Sequence, residues 1–332
     1  MILRMYALFL AAALLGTTAA LAEPVELKFG AFLSPRNFAV KKVLEPWAKW
    51  VQEQVGDEVA IKIYSGGTLG RNPVQQMKLL KDGVQDITFA VPSYTPARFV
   101  DLSLFELPGL VRNSTEGSLA LWRMYEKGLV RGFEDVKVVG IFTLDPSILH
   151  MAKPIQSYRD MKGMKIRTGG RIHNDIVKAL GAVPVGMPVT RVAENMSRNL
   201  IDGAIIPWTS VVPFRINQVA KYHYKVDLGV LSIVIAMNKE RYEKLSPRAR
   251  AVIDKSGSML AKLQGDVFDS TRASFIEQTK ADSQQRVLDP TAVEQQEMAS
   301  LFKPLHERWQ AEHGSDRYDA LVKILAQLRE GD

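Results

Sequence analysis

Two arginines four residues apart are the side chains here best suited to chemistry. Arg167 and Arg171 lie in the run Met161–Arg171, MKGMKIRTGGR. A guanidinium presents a planar fork of N–H donors that fits a carboxylate and keeps its charge at any ordinary pH. The neighbouring residues say where such a fork would be held. Met164, Ile166 and Thr168 alternate with Lys165 and Arg167, which is the period of a short strand. Gly163 precedes this strand and Gly169–Gly170 follow it as a turn. Ile172, Ile176, Val177 and Leu180 then recur at helical spacing, with Gly181 as a stop. Arg167 is therefore expected at the carboxyl end of a strand in a β-turn-α unit, where ligands gather in open α/β sheets. The chemistry implied is capture of a small organic anion, with Arg171 as a second donor. On these residues alone a surface arginine in an ion pair is the favoured reading.

Other chemistries lack their residues. The five histidines, at 150, 173, 223, 306 and 313, form no zinc-binding helical pair around a glutamate. There is no GxSxG elbow, and the one S-x-x-K, Ser300–Lys303, lacks its companion motifs. Ser65–Gly70, SGGTLG, has neither the spacing nor the lysine of a phosphate-binding loop. No cysteine is present, so disulfides, thiolate nucleophiles and cysteine-based metal sites are excluded. No enzyme, metal or cofactor is expected.

The elements that must position Arg167 follow from the apolar pattern. The 332 residues, 46% of them hydrophobic, suit two domains with proper cores. Residues 1–22 are set apart by Arg4, the apolar run Tyr6–Leu15 and the ending Ala20-Leu21-Ala22, a signal-peptide pattern cleaved after Ala22. The run is too short for a permanent membrane span, so an exported, periplasmic chain is expected. Losing Arg4 leaves a net charge of +6, 42 basic against 36 acidic residues. These charges are interleaved, with no basic stripe, which argues against nucleic acid. A mild positive field would still help collect an anion.

Strands are expected at Val25–Gly30, Val59–Tyr64, Asp86–Val91, Val136–Leu144, Met164–Thr168, Val183–Val185, Asp202–Ile206, Tyr222–Val226, Gly229–Met237 and Arg286–Leu288. Helices are expected after Ser34-Pro35 and Asn72-Pro73, at Ser114–Lys127, after Gly170, at Thr190–Leu200 and at Ser210–Val219. Ser246-Pro247 should cap one helix of over thirty residues, long enough to serve two domains as a spine, and two amphipathic helices should close the chain. Alternation of strand and helix predicts α/β lobes whose sheets are mostly parallel, with helices on both faces.

These pieces together resemble a known family. IYSGGTLG at 63–70, PIQSYRDMKGMKIR at 154–167, ALGAVPVGMP at 179–188, the helix and DG of 191–203, and MNKERYEKLSP at 237–247 are similar, in order and spacing, to the extracytoplasmic solute-binding proteins of TRAP (tripartite ATP-independent periplasmic) transporters. The resemblance implies a two-lobed flytrap fold with crossing strands. The lobes would be 23–146 plus 233–272, and 147–232 plus 273–332. It implies that the arginine ending the KIR strand, Arg167, pairs with a ligand carboxylate, which reverses the weighting given by spacing alone. It also points to Phe32, Tyr94, Ser147 and Val189 as lining positions, Ser147 standing where some members carry a second arginine that Arg171 would replace. Many members have an asparagine where this chain has Ile206, followed here by Pro207-Trp208. The exchange makes an apolar pocket that suits an aromatic or apolar monocarboxylate, such as a 2-oxo or 2-hydroxy acid, better than a sugar acid. Core packing is the alternative for Phe32, Tyr94 and Trp208. A small dicarboxylate held by both arginines is the alternative ligand, and an exported enzyme or a sensing module the alternative role. The partners implied are the carboxylate and the transporter's membrane subunits, with the protein acting as a monomer.

Overall fold

Five strands form a first sheet: β1 (Val25–Gly30), β2 (Val59–Tyr64), β3 (Ile87–Ala90), β4 (Val136–Thr143) and a late strand, Ser232–Asn238. The computed structural model describes residues 23–331, so the expected leader and its cleavage point lie outside the described residues. Leu27, Phe29, Val59 and Ile61 face inward on alternate positions of β1 and β2. They meet Val43, Leu44, Trp47 and Val51, buried on one face of the helical segment that runs into α1 (Glu45–Val55). That segment begins at Phe38, later than Ser34-Pro35 indicated. Ser34 closes a turn through its carbonyl, and Asn37 caps the helix, its Oδ1 accepting from the Ala39 N–H at 2.8 Å.

After α2 (Gln76–Lys81) and α3 (Ser114–Glu126), β4 leaves the first sheet and the chain passes through Leu144–Pro146 into β5 (Ser147–Met151). The second sheet adds β6 (Lys165–Thr168), α4 (Arg171–Ala179), β7 (Val183–Gly186), α5 (Val192–Ser197), β8 (Gly203–Pro207), α6 (Trp208–Val211) and β9 (Tyr222–Tyr224). The chain then returns to the first sheet as β10 (Ser232–Asn238). The strand orders are β2-β1-β3-β10-β4 in the first sheet and, with β11 (Arg286–Leu288), β11-β9-β5-β8-β6-β7 in the second. Both sheets are mixed, which corrects the mostly parallel expectation: β10 runs antiparallel to β3 and β4, and β5 antiparallel to β8 and β9. The crossings are the cause, because a strand that enters from the other lobe needs no helical return and joins against the direction of its neighbours. The two crossings are tied together by Leu144 N–H to Leu231 O, Ser147 N–H to Gly229 O and Leu228 N–H to Ser147 O, each 2.8–2.9 Å.

Following α7 (Lys239–Glu243), α8 (Pro247–Ala281) runs 35 residues along the back, started by Ser246, whose side chain accepts from Ala249 N–H. It packs on β4, α1 and α3 of the first lobe and reaches α6 and β11 of the second. Asp269 of α8 accepts from the N–H groups of Ser114 and Thr115 at 2.8 and 2.9 Å, so the spine caps α3. The chain ends in α9 (Ala292–His313) and α10 (Ser315–Glu330). Only four helical residues stand at 208–211 and a single tight turn at 216–218, where a helix from Ser210 to Val219 was expected. Pro213 removes a donor there, and Arg215 takes a left-handed φ of 57° that ends the helical path.

Candidate functional site

Arg167 is the last residue but one of β6, with 1% of its surface exposed. Its Nε donates to Met187 O at 2.9 Å, Nη1 to Ile205 O at 3.1 Å and Nη2 to the Tyr94 hydroxyl at 3.3 Å. A guanidinium has five N–H bonds. Three are met by neutral oxygens, so each terminal nitrogen keeps one for another acceptor. Among the described residues no carboxylate pairs with it. Burial pulls its pKa down, opposed by Tyr94, yet an arginine stays charged in a protein. The result is a buried cation with an open fork and no counterion, an arrangement that costs several kcal/mol unless an anion joins it. Gly169 keeps the fork clear, since a Cβ there would lie 3.1 Å from both Nη atoms.

The surroundings hold other groups neutral. His173, on α4, is pushed down to about 3 by burial and then by the charge of Arg167. Glu106 is buried beside Gly170, where burial raises it to about 8 against the N–H of Ile172. It therefore carries a proton at neutral pH and brings little charge to Arg167.

Beside Arg167 is a cavity with about 560 Å³ of space not filled by atoms, part of it open to solvent. Phe32, Phe38, Phe89 and Phe268 line it from the first lobe and spine, with Leu33, Val91 and Ile233. The second lobe supplies Val189, Ile206, Pro207, Thr209, Ser210 and Phe214, and Leu144 and Leu231 come from the crossings. Tyr94 reaches across from the first lobe. Its hydroxyl oxygen accepts from Arg167 and from the Val189 N–H at 3.0 Å, which leaves its own proton to donate. Tyr94 also borders an outer depression formed by Thr168, Gly169, Gly170 and Arg171, so it stands between the cavity and the surface.

Of the residues expected at the site, Arg167, Phe32, Tyr94, Val189 and Ile206 converge on this cavity and three do not. Arg171 is the first residue of α4; the glycine turn swings it outward, where its side chain is 54% exposed and pairs with Glu312 at 2.8 Å. Ser147 is buried in the crossing, its backbone tied to Gly229 and Leu228, away from the lining. Trp208 falls behind the second sheet as the chain turns at Pro207. There it packs on His150 and His223 with ring centres 5.0 and 4.9 Å away. Those two histidines are joined Nδ1 to Nδ1 at 2.7 Å. Thr209 and Ser210, not Trp208, turn to the cavity. The lining also includes Asn37, Phe38, Phe89, Phe214 and Phe268, which no spacing in the sequence marks out. Nothing in their types or neighbours distinguishes these phenylalanines from core residues, and Asn37 lies just ahead of the observed helix start.

A buried arginine with no carboxylate partner thus faces an apolar cavity between two lobes, and among the described lining residues there is no histidine, aspartate or glutamate. The family model for bacterial extracellular solute-binding proteins, family 7 (DctP), matches residues 29–313. The chain belongs to this family. Among solved structures, the chain resembles a marine-metagenome TRAP solute binding protein specific for aromatic acid ligands, in complex with 3-hydroxybenzoate. That pair shares 29% identity over 92% of this chain and 99% of the other, with a TM-score of 0.86. A TRAP solute binding protein from Rhodoferax ferrireducens, with copurified benzoate, matches at 28% identity, 92% and 99% coverage and a TM-score of 0.85. One from Bordetella bronchiseptica, with bound (R)- and (S)-mandelate, matches at 25% identity, 93% and 100% coverage and a TM-score of 0.85. The two-lobed DctP fold expected from the sequence is thus shared along nearly the whole described chain, and the family is one of extracellular binding proteins, not of enzymes.

Proposed function

We propose that this protein is the periplasmic receptor of a TRAP-type transporter and binds an aromatic monocarboxylate between its lobes, divided at 146/147, 232/233 and 272/273. The ligand carboxylate takes the two free N–H groups of Arg167 and the proton of Tyr94, and its ring packs among Phe32, Phe38, Phe89, Phe214 and Phe268. The observation that carries this reading is the buried guanidinium with an open fork and no counterion. The apolar lining supports an aryl body, and the structural neighbours with benzoate, 3-hydroxybenzoate and mandelate support the class. Arg171 lies outside the cavity, so a dicarboxylate finds no second cation there. The closed, loaded form is what a monomeric receptor would present to the membrane subunits of its transporter.

A thermal-shift panel of carboxylic acids, followed by calorimetry on the best hit, tests the reading. Ligand at a hundred times Kd should stabilise the protein by about 2.7 kcal/mol. Arg167→Ala should cost roughly 3–5 kcal/mol of binding, at least two decades in Kd. Tighter binding of a sugar acid than of any aryl acid, or unchanged binding by Arg167→Ala, would sink it.

A further inference from the structure

The cavity carries polarity at two places, and the carboxylate uses only one. Arg167 and Tyr94 make the first. The second lies against the spine helix, formed by one residue from each lobe. Asn37, 8% exposed, commits Oδ1 to the Ala39 N–H, which fixes the amide and leaves Nδ2 without a partner among the described residues. Thr209, 2% exposed, donates its hydroxyl proton to Oδ1 of Asp145, a fully buried residue of the first crossing. Burial raises Asp145 to about 6, so at neutral pH it is mostly ionised and only accepts. A threonine has one O–H, and with that proton committed Thr209 shows the cavity nothing but lone pairs.

Both side chains line the same cavity, and the neighbours of both pack on the spine helix. Phe38, next to Asn37, stacks on Phe268 of α8 at 4.8 Å. Arg272, one turn further along α8, has its Nε 4.0 Å from the other oxygen of Asp145, which accepts no hydrogen bond. A donor and an acceptor, both over nine-tenths buried, thus face a space otherwise walled by phenylalanine and aliphatic side chains. Ser210 adds a hydroxyl that serves either role.

We infer that Asn37 and Thr209, the latter oriented by Asp145, form a second subsite that reads a hydroxyl group on the body of the bound acid. This rests on the aromatic-acid reading above and narrows it to hydroxylated acids. A hydroxyl donates to Thr209 while accepting from Asn37. An ether, a halogen or a ketone only accepts, and would set lone pair against lone pair at Thr209. A second carboxylate would face the charge of Asp145 as well. A site built to pair a hydroxyl discriminates strongly, because its absence leaves buried polar groups unmet.

Calorimetry on the secreted chain, residues 23–332, with benzoate, its 2-, 3- and 4-hydroxy derivatives and the matching methoxy derivatives tests the inference. At least one hydroxy isomer should bind tenfold or more tightly than benzoate, and its methoxy counterpart should lose that gain. In Thr209→Val, its folding checked by thermal melt, the ratio of the two affinities should fall toward one. Thr209→Ser, which keeps the hydroxyl and its bond to Asp145, should restore it, so a fold defect and a lost subsite are told apart. Equal affinity of the wild type for benzoate and all three hydroxy isomers overturns the inference, and so does an unchanged ratio in Thr209→Val. If no aryl acid binds the wild type at all, the aromatic-acid reading has failed and takes this subsite with it.

Discussion

Arg167 shows how much a single side chain can be read from its neighbours. The alternation before it and the glycines after it placed it at a strand's end, and it is there. What spacing did not give was its isolation from carboxylates, which depends on β8, some forty residues later, supplying only a backbone carbonyl. Arg171 and Trp208 misled for a different reason. Each follows a turn, and a turn decides the direction of a side chain by geometry the residue types leave open. Because the site needs a fork and not only a charge, Arg167→Lys should bind the ligand at least tenfold more weakly while keeping the fold, as calorimetry beside a melt would show. Glu106 offers a pH test. Its pKa rises from the ordinary 4.5 to about 8 in the fold, so the native state holds the proton longer than the unfolded chain. Stability is therefore full below about 4.5, falls as pH rises through that window, and reaches its lowest above about 8. Glu106→Gln, which stays neutral, should melt higher than the wild type at pH 9 by more than it does at pH 5, a difference worth at most a few kcal/mol.

Among the elements, strands and long helices were legible and their pairing was not. Val25–Gly30, Val59–Tyr64 and the spine from Pro247 stand where alternation or helical period set them. Sheet direction escaped because β4, β5 and β10 pair with strands far away in the chain, and local period carries no trace of that. The short helix at 208–211 was overestimated because apolar residues recur past Pro213, where packing rather than helix uses them. The spine yields a test of packing against propensity. Alanine normally favours a helix over glycine by about 1 kcal/mol. At Gly265 an added Cβ would lie 2.5 Å from the Cα of Thr115, and a backbone atom cannot step aside cheaply. Overpacking of this kind costs roughly 1–3 kcal/mol, so Gly265→Ala should be net destabilising in a urea titration, while weakening the cap that Asp269 places on α3.

For the molecule as a whole, Tyr94 is one residue by which the lobes meet at the site. It comes from the first lobe and engages Arg167 and Val189 of the second. A flytrap moves between open and shut forms, and contacts made only when shut set the balance. Tyr94→Phe keeps the ring and removes both bonds, so about 1–2 kcal/mol of closure should be lost. Small-angle scattering with saturating ligand should then find a larger mean radius of gyration than the wild type, and an equal radius would remove Tyr94 from the closing contacts.

The position of Tyr94 between cavity and surface has a consequence in time as well as in energy. A molecule shut behind it departs only when the lobes part, so dwell time becomes a property of the protein's own motion. Capture, on the proposed function, begins on an open form in which Tyr94 has not yet met its partners. Stopped-flow mixing of Tyr94→Phe should accordingly show faster release with little change in the second-order rate of capture. On the proposed function, a receptor built this way would hold its ligand by the slowness of a hinge.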